Sequence, residues 1–220
     1  MAARARLSCA PTRGQYDAPT PGGWHDATTR DPREAAVGGM GGLSLRLRHR
    51  IPTFPTMHPR PPSESSSVLT RWMGIEDANT AGYVHGGVIM RLCDEVAGIA
   101  AIRHCGMRVV TAGMDRMTFL DPVYVGQLVT FLATVNAAWH TSMEVGVRVE
   151  SEDVRTRQVT HTSTAYLTMV ALDEGGRPAP VPPLAPTTPE ERRREQEAQL
   201  RRDNRLAERE AILRVRGMKG

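Results

Sequence analysis

The chain has 220 residues, a formal net charge of +4 and 40% hydrophobic residues, a composition that suits one globular domain or at most two small ones. The basic excess comes largely from arginine in the two terminal segments, so it says little about the charge of a folded core. No apolar stretch approaches the length of a membrane span. Three cysteines, an odd number without metal-ligand spacing, favour a reducing, cytoplasmic setting over a disulfide scaffold.

The first segment of the chain carries clusters of proline and glycine and little periodic apolar pattern. It predicts a disordered or linker extension over residues 1–64. The first residues are rich in arginine and poor in acids, as in an organellar transit peptide, but a disordered or wrongly assigned start is preferred, with Met40 or Met57 as the true start. Ordered structure is predicted to begin near Ser65, with residues 66–73 as a strand or a short helix.

The segment from about His85 to about His104 is apolar nearly all round, which predicts a helix buried in a core. Glycine at position 106 is a natural helix stop. One carboxylate, Asp94, lies among the apolar residues of this helix. An unpaired carboxylate is costly to bury, and buried acids with a perturbed pKa cluster at functional sites. Asp94 is therefore a candidate catalytic residue.

The start of the same helix has a second chemical feature. Gly86 and Gly87 offer backbone N–H groups at the positive end of the helix dipole, directly after a loop that contains Asn79. Such a helix terminus can bind an oxyanion. Together with a carboxylate on the same helix, it suggests acyl chemistry.

Four segments after this helix have the alternating apolar pattern and β-branched composition of strands. They cover residues 109–120, 128–139, 143–150 and 159–172. Such a sheet has one face to cover, and the long helix is the available cover. The order of elements predicts an α+β fold in which a sheet wraps around one helix.

A proline-rich stretch then leads to a charged helix that starts with the capping pair Thr188-Pro189 and runs to about Arg216. Its acids and arginines form pairs at helical spacing, whereas a nucleic-acid-binding arm would be more one-sided in charge. The preferred interpretation is a solvated helix with weak contacts through Leu200, Leu206 and Leu213. A partner-binding helix is the alternative.

Four segments occur in an informative order: NTAGYVHGGVIMRLCDEVAGIAAIRHC, VVTAGMDRMTFLDPVYVG, HTSMEVGVRVES and YLTMVALDEGGRPAPVPPL. Together they resemble the hotdog-fold acyl-CoA thioesterases, and most closely the YciA-type bacterial enzymes and the tandem-hotdog cytosolic long-chain acyl-CoA hydrolases of animals. The resemblance covers about residues 68–184. It implies a hotdog domain over 65–184, a curved antiparallel sheet around one long central helix, followed by a charged helix or tail over 185–220.

The resemblance also implies a reaction: hydrolysis of fatty acyl-CoA to a fatty acid and free CoA. No cofactor or metal is implied, because coenzyme A is part of the substrate. The family's working unit is a hotdog pair, often assembled as a trimer of dimers, so a homo-oligomer is expected, with no nucleic-acid or membrane partner.

The site residues implied by the resemblance are those already noted. In the tandem enzymes one half supplies a catalytic asparagine and the other an aspartate, and this chain retains both as Asn79 and Asp94. Asn79 would orient water or the thioester, and an N–H of Gly86 or Gly87 would bind the oxyanion. Asp94 would act as general base or as a nucleophile that forms an anhydride, two roles that the sequence does not separate. His85 is expected to be structural.

Four further residues are candidates for binding the coenzyme. Thr141 and Ser142 would meet the pantetheine or the phosphates, with simple sheet-edge polarity as the alternative. Arg103 and His104 would contact phosphates, or else cap the carbonyls at the helix end. Two other functions on the same fold are a non-catalytic acyl-CoA sensor and a hydroxyacyl-thioester dehydratase. The sequence lacks the helix-turn-helix segment expected of the first and the histidine–carboxylate motifs of the second.

Overall fold

The computed structural model describes residues 57–217, and in this part of the chain one antiparallel sheet curves around one long helix. The predicted α+β hotdog arrangement is confirmed. The five strands lie in the order β1-β3-β4-β5-β2, and a second helix follows them. In chain order the elements are β1 (Ser67–Trp72), α1 (Gly86–Cys105), β2 (Arg108–Phe119), β3 (Leu128–Ala138), β4 (Ser142–Asp153), β5 (Gln158–Leu172) and α2 (Pro189–Val215).

Helix α1 forms the centre of the core. It ends at Gly106, whose φ of 72° is the left-handed conformation that glycine adopts without strain. Successive side chains alternate across each strand, so every second residue of β3, β4 and β5 points at the helix. The fully buried side chains that meet there include Ile89, Val96, Phe131, Val145, Leu167 and Met169. Each such side chain contributes about 1.5–3 kcal/mol by its removal from water.

Strand β2 is the last strand on one side of the sheet. It pairs with β5 and is interrupted by two register shifts, one between Thr111 and Gly113 and one between Met114 and Arg116. Most of its residues are exposed or half-buried, including an exposed Phe119. A long edge strand of this kind offers backbone groups to a further strand.

The packed part of the chain begins earlier than the predicted boundary at residue 65. Arg60 forms a parallel bridge with Leu184, and its N–H donates to the carbonyl of Pro183 at 2.9 Å. Its guanidinium donates to the carbonyl of His104 at 2.9 Å, and so caps the end of α1. Residues 60–64 therefore belong to the folded unit, while residues 1–56 of the predicted extension lie outside the described residues.

Helix α2 begins as predicted, with Thr188 and Glu191 in a reciprocal capping box. The prediction of a solvated helix with weak leucine contacts holds for most of its length, where the residues are exposed and Leu206 and Leu213 are half-buried, but it misses the contacts that dock the helix on the sheet. Leu200 is 61% exposed, whereas Ala198 is fully buried and Arg201 reaches the buried carboxylate of Glu144. The helix docks on the outer face of the sheet because arginine stems can lie along that face while their charged ends find partners. Within the described residues, no helix is long and apolar enough to cross a membrane.

Candidate active site

Asp94 lies in the middle of α1 and is half-buried. The hydroxyl of Thr111, on β2, donates a hydrogen bond of 2.5 Å to Asp94 Oδ1. The sequence predicted a carboxylate among apolar side chains, where burial without a partner would be costly. The Thr111 donor provides that partner, because edge strand β2 passes beside this turn of the helix. Glu95 points elsewhere and pairs with Arg91, as expected for a residue that is not part of a carboxylate pair.

The neighbouring thiol is not a candidate nucleophile. Cys93 is fully buried, and burial together with the negative charge of Asp94 raises its pKa to about 12. The thiol is therefore protonated at neutral pH, and only a thiolate would attack a thioester efficiently. Of these two adjacent residues, Asp94 is therefore the candidate for the reacting group.

Gly86 and Gly87 were predicted together as oxyanion donors, but at the start of α1 their two N–H groups differ. The Gly87 N–H donates to Nδ1 of His85 at 2.9 Å, so His85 is the helix cap and its expected structural role is confirmed. This leaves the Gly86 N–H as the better candidate for an oxyanion donor. A Cβ at Gly86 would lie 3.3 Å from the ring of Phe119, so the missing side chain keeps the approach to this backbone open.

Asn79 shapes the loop that leads into the helix. Its Oδ1 accepts hydrogen bonds from the N–H groups of Ala81 at 2.9 Å and Tyr83 at 3.2 Å. Asn79 is thus a turn former. Both bonds use the oxygen, so the amide NH2 is the part of the side chain that can donate to water or to a thioester.

A residue that sequence reasoning missed holds this loop in place. Asp77 is buried and accepts hydrogen bonds of 2.9 Å from the guanidinium of Arg71 and from the Gly74 N–H. Its backbone carbonyl accepts from the His85 N–H at 2.8 Å. Asp77 therefore joins the Asn79 loop to the start of α1. An acid in a polar loop carries no sequence signal for such a role.

A cavity of about 370 Å³ opens at the start of α1. Its lining is mainly apolar: Tyr83, Val84, Gly86, Ile89, Phe119, Leu120, Asp121, Pro122 and Val123. The volume suits part of a small-molecule ligand. Asp94 is not in the lining, and its separation from Gly86 by eight residues corresponds to about 12 Å along the helix. The two halves of the predicted site do not meet within one chain.

The four residues predicted to contact the coenzyme do not line this cavity. Thr141 and Ser142 are buried, and the Ser142 hydroxyl accepts from Arg202 of α2 at 3.4 Å. Arg103 donates to the carbonyl of Ser66. His104 is fully buried, with Nε2 2.9 Å from the carbonyl oxygen of Pro182. These contacts within the chain do not test the predicted coenzyme contacts, which stay a prediction.

Burial also sets the charge state of His104. Desolvation lowers its pKa, which outweighs the opposing effect of the Pro182 carbonyl. Nδ1 of this ring is buried without a hydrogen-bond partner. The imidazole is therefore neutral at physiological pH. Between residues 57 and 217, no three His, Cys, Asp or Glu side chains lie close enough together to hold a metal ion.

Comparison with known proteins identifies the family. The sequence profile of the thioesterase superfamily matches residues 81–157. Protein VdlD of Helicobacter pylori is 44% identical over 128 residues, which are 58% of this chain and 73% of that protein. The chain belongs to the thioesterase superfamily. The prediction of a hotdog-fold thioester hydrolase is confirmed.

Other members of the superfamily are similar to this thioesterase. The cytosolic acyl coenzyme A thioester hydrolase of Mus musculus is 38% identical over 151 residues, which are 67% of this chain and 40% of that protein. An acyl-CoA hydrolase from Staphylococcus aureus, solved with butyryl coenzyme A and coenzyme A, is 34% identical with a TM-score of 0.66, covering 71% of this chain and 95% of that one. A hexameric acyl-CoA thioesterase is 37% identical with a TM-score of 0.67, covering 69% and 97%.

The Staphylococcus aureus hydrolase has also been solved as three single variants, in which an asparagine, an aspartate or a threonine is replaced by alanine. In that protein the aspartate follows the asparagine by 15 positions, and the threonine follows the aspartate by 17. Asn79, Asp94 and Thr111 of this thioesterase have the same two spacings. Thr111 is the member that sequence reasoning missed. The available signal was a polar residue on the helix-facing side of a strand.

Proposed function

We propose that this thioesterase hydrolyses fatty acyl-CoA to a free fatty acid and CoA, with Asp94 as the reacting carboxylate. The hydrogen bond from Thr111 to Asp94 carries the proposal, because it singles out one carboxylate on the central helix and fixes its orientation. The matching spacing of Asn79, Asp94 and Thr111 with the three residues varied in the Staphylococcus aureus acyl-CoA hydrolase supports it.

Two reaction routes are open to Asp94. As a general base it would take a proton from water, and the resulting hydroxide would attack the thioester carbon. As a nucleophile it would attack that carbon itself and form a mixed anhydride, which water then hydrolyses. Both routes put negative charge on the thioester oxygen, which the Gly86 N–H would stabilise, and both expel CoA as the thiolate. The amide of Asn79 would orient the water or the thioester.

The active site is proposed to form between two chains. Thr111, near the beginning of β2, contacts Asp94 of α1. Phe119, at the end of β2, lies beside Gly86 and lines the cavity. If two β2 edges pair in antiparallel fashion around a two-fold axis near Asp115, position 111 of one chain faces position 119 of the other. The carboxylate of one subunit then approaches the helix start of the partner subunit, and each dimer has two identical composite sites.

The surface around β2 supports this pairing. Val110, Phe119 and Leu120 are exposed there, and the outer side of α1 exposes Ile99 and Ile102. Such a group of apolar side chains beside an edge strand is typical of a surface that is covered in an oligomer. The hexameric relative supports a trimer of dimers, and the name of the mouse relative supports a cytoplasmic location.

The substitution Asp94→Asn tests the proposal. It removes the base or nucleophile but keeps an oxygen that can accept the Thr111 hydrogen bond, so the fold and CoA binding should persist. Thiol release from acyl-CoA should fall by at least about 100-fold. Glu95→Gln, a matched change of an exposed neighbour, should leave the rate unchanged.

Thiol release by the Asp94→Asn variant within a few-fold of wild type would contradict the assignment. The alternative acyl-CoA sensor predicts a different wild-type result, in which acyl-CoA binds but no thiol is released.

A further inference from the structure

Arg205 of α2 holds the edge strand β2 from the outer face of the sheet. One nitrogen of its guanidinium, Nη1, donates both to the carboxylate of Asp115 on β2 and to the hydroxyl of Thr168 on β5, the latter at 2.8 Å. The Asp115 side chain is 14% exposed and the Arg205 side chain 31% exposed, so solvent screens this ion pair only in part. The contact therefore fastens β2 both to its neighbouring strand and to α2.

Asp115 lies in an irregular stretch of β2. The two register shifts leave Ala112 and Asp115 without a partner residue on β5, and such bulges locally disrupt the hydrogen-bonded ladder. β2 is also the last strand of the sheet, so within the described residues only β5 pairs with it. The position of residues 111–115 therefore depends strongly on side-chain contacts.

This stretch has one such contact on each face of the sheet. On the inner face the Thr111 hydroxyl donates to Asp94 of α1, and on the outer face the Asp115 carboxylate accepts from Arg205. Thr111 and Asp115 are only four residues apart, so a shift of the bulge that carries Asp115 also moves the backbone that carries Thr111. The outer contact can therefore set the hydrogen bond that orients the reacting carboxylate.

We propose that Arg205 is a positioning residue of the active site, which holds Asp115 and thereby keeps Thr111 on Asp94. The inference rests on the proposed function, in which Asp94 is the reacting carboxylate. Arg205 acts through Thr111 and from the opposite face of the sheet. Its loss should therefore affect the chemical step more than the binding of substrate.

A double-mutant cycle with Thr111 tests the proposal. Arg205→Met keeps the stem of the side chain and removes both hydrogen bonds. In otherwise wild-type protein it should lower kcat for thiol release at least about fivefold and change KM less than about twofold, because a displaced Thr111 misorients the carboxylate. In a Thr111→Val background the same substitution should lower kcat less than about twofold, because the hydrogen bond that it disturbs is already absent.

Arg201→Met is the matched control. Arg201 joins the same helix to the buried Glu144 on β4, a strand that carries none of the proposed catalytic residues. Measured well below its unfolding temperature, this variant should keep kcat within about twofold of wild type. If Arg205→Met does not fold, Asp115→Asn takes its place in the same cycle, with the same pattern expected. It keeps an oxygen for Arg205 but removes the charge.

Equal fold-losses from Arg205→Met with and without Thr111→Val, or no loss in either case, would overturn the positioning role. An equal loss in Arg201→Met would also overturn it. So would a loss of activity that accompanies dissociation of the oligomer in size-exclusion chromatography, since the proposed two-fold axis passes near Asp115. These results leave the proposed function intact as long as the wild type releases thiol from acyl-CoA. A wild type that releases none would contradict that function and this inference with it.

Discussion

The ion pair between Arg201 and Glu144 should contribute measurably to stability. Glu144 is fully buried on β4, and its carboxylate accepts from Arg201 at 2.7 and 3.1 Å and from the Asn136 side-chain amide at 3.1 Å. The Arg201 guanidinium also lies 3.7 Å from the centre of the Tyr166 ring. Replacing Arg201 by methionine would keep the packed stem and remove the charge that compensates Glu144.

The expected cost follows from burial. Removing one partner of a buried ion pair costs about 3–5 kcal/mol, because the remaining charge is left without compensation. The Asn136 amide still donates to Glu144, so we expect Arg201→Met to lower the free energy of unfolding by about 3 kcal/mol. For a folded unit of this size, that corresponds to a fall in Tm of about 6–12 °C.

Urea and thermal unfolding followed by circular dichroism measure the effect. Arg193→Met is the matched control, because Arg193 pairs with Glu197 on the same helix with both side chains substantially exposed. It should cost less than about 1 kcal/mol. Combining Arg201→Met with Glu144→Met should recover most of the loss, since a buried ion pair can be replaced by apolar residues of similar volume. An Arg201→Met variant as stable as the control would refute the reasoning.

Three further predictions concern the site and its surroundings. Thr111→Val should lower the rate of thiol release about 10- to 100-fold with little change in stability, because it removes a hydrogen bond of about 1.5–3 kcal/mol to the charged Asp94. Burial lowers the folded-state pKa of His104. The stability that its neutral form contributes is complete at neutral pH and is lost as the pH falls from the unfolded pKa of about 6.5 towards the lower folded value. The urea concentration at the midpoint of unfolding should therefore decrease as the pH is lowered from 7.5 to 5.5. The decrease should be smaller for the His104→Gln variant. Free CoA should inhibit competitively and EDTA should have no effect. Inactivation by EDTA that added metal reverses would contradict the proposed metal-free chemistry.

The central helix and strands β2 to β5 could be predicted because their signals are local. An apolar segment with one glycine stop defines α1, and period-two alternation defines a strand such as β4. The position of β2 at the edge of the sheet could not be predicted. Strand order depends on pairing between distant segments, which no local pattern in β2 reveals.

Two of the missed features depend on contacts between residues far apart in the chain, and a third depends on a local side-chain conformation. Arg201 and Glu144 are 57 residues apart, and a charged helix gives no local sign that one of its arginines will reach a buried acid. Thr111 has high strand propensity, so its presence in a strand is unremarkable until β2 packs beside Asp94. Gly87 was grouped with Gly86 because both are glycines at a helix start, and only the conformation of His85 separates them.

The proposed composite active site is tested most directly by mixing two inactive subunits. Asn79→Asp keeps the oxygen that shapes the loop but removes the donating amide, and Asp94→Asn removes the reacting carboxylate. The two variants are unfolded, combined in equal amounts and refolded, and thiol release from acyl-CoA is compared with wild type treated in the same way. Random pairing gives about half heterodimers with one intact site each, so activity should recover to roughly a quarter of wild type. If each site forms within a single chain, the refolded mixture will be as inactive as the two variants alone.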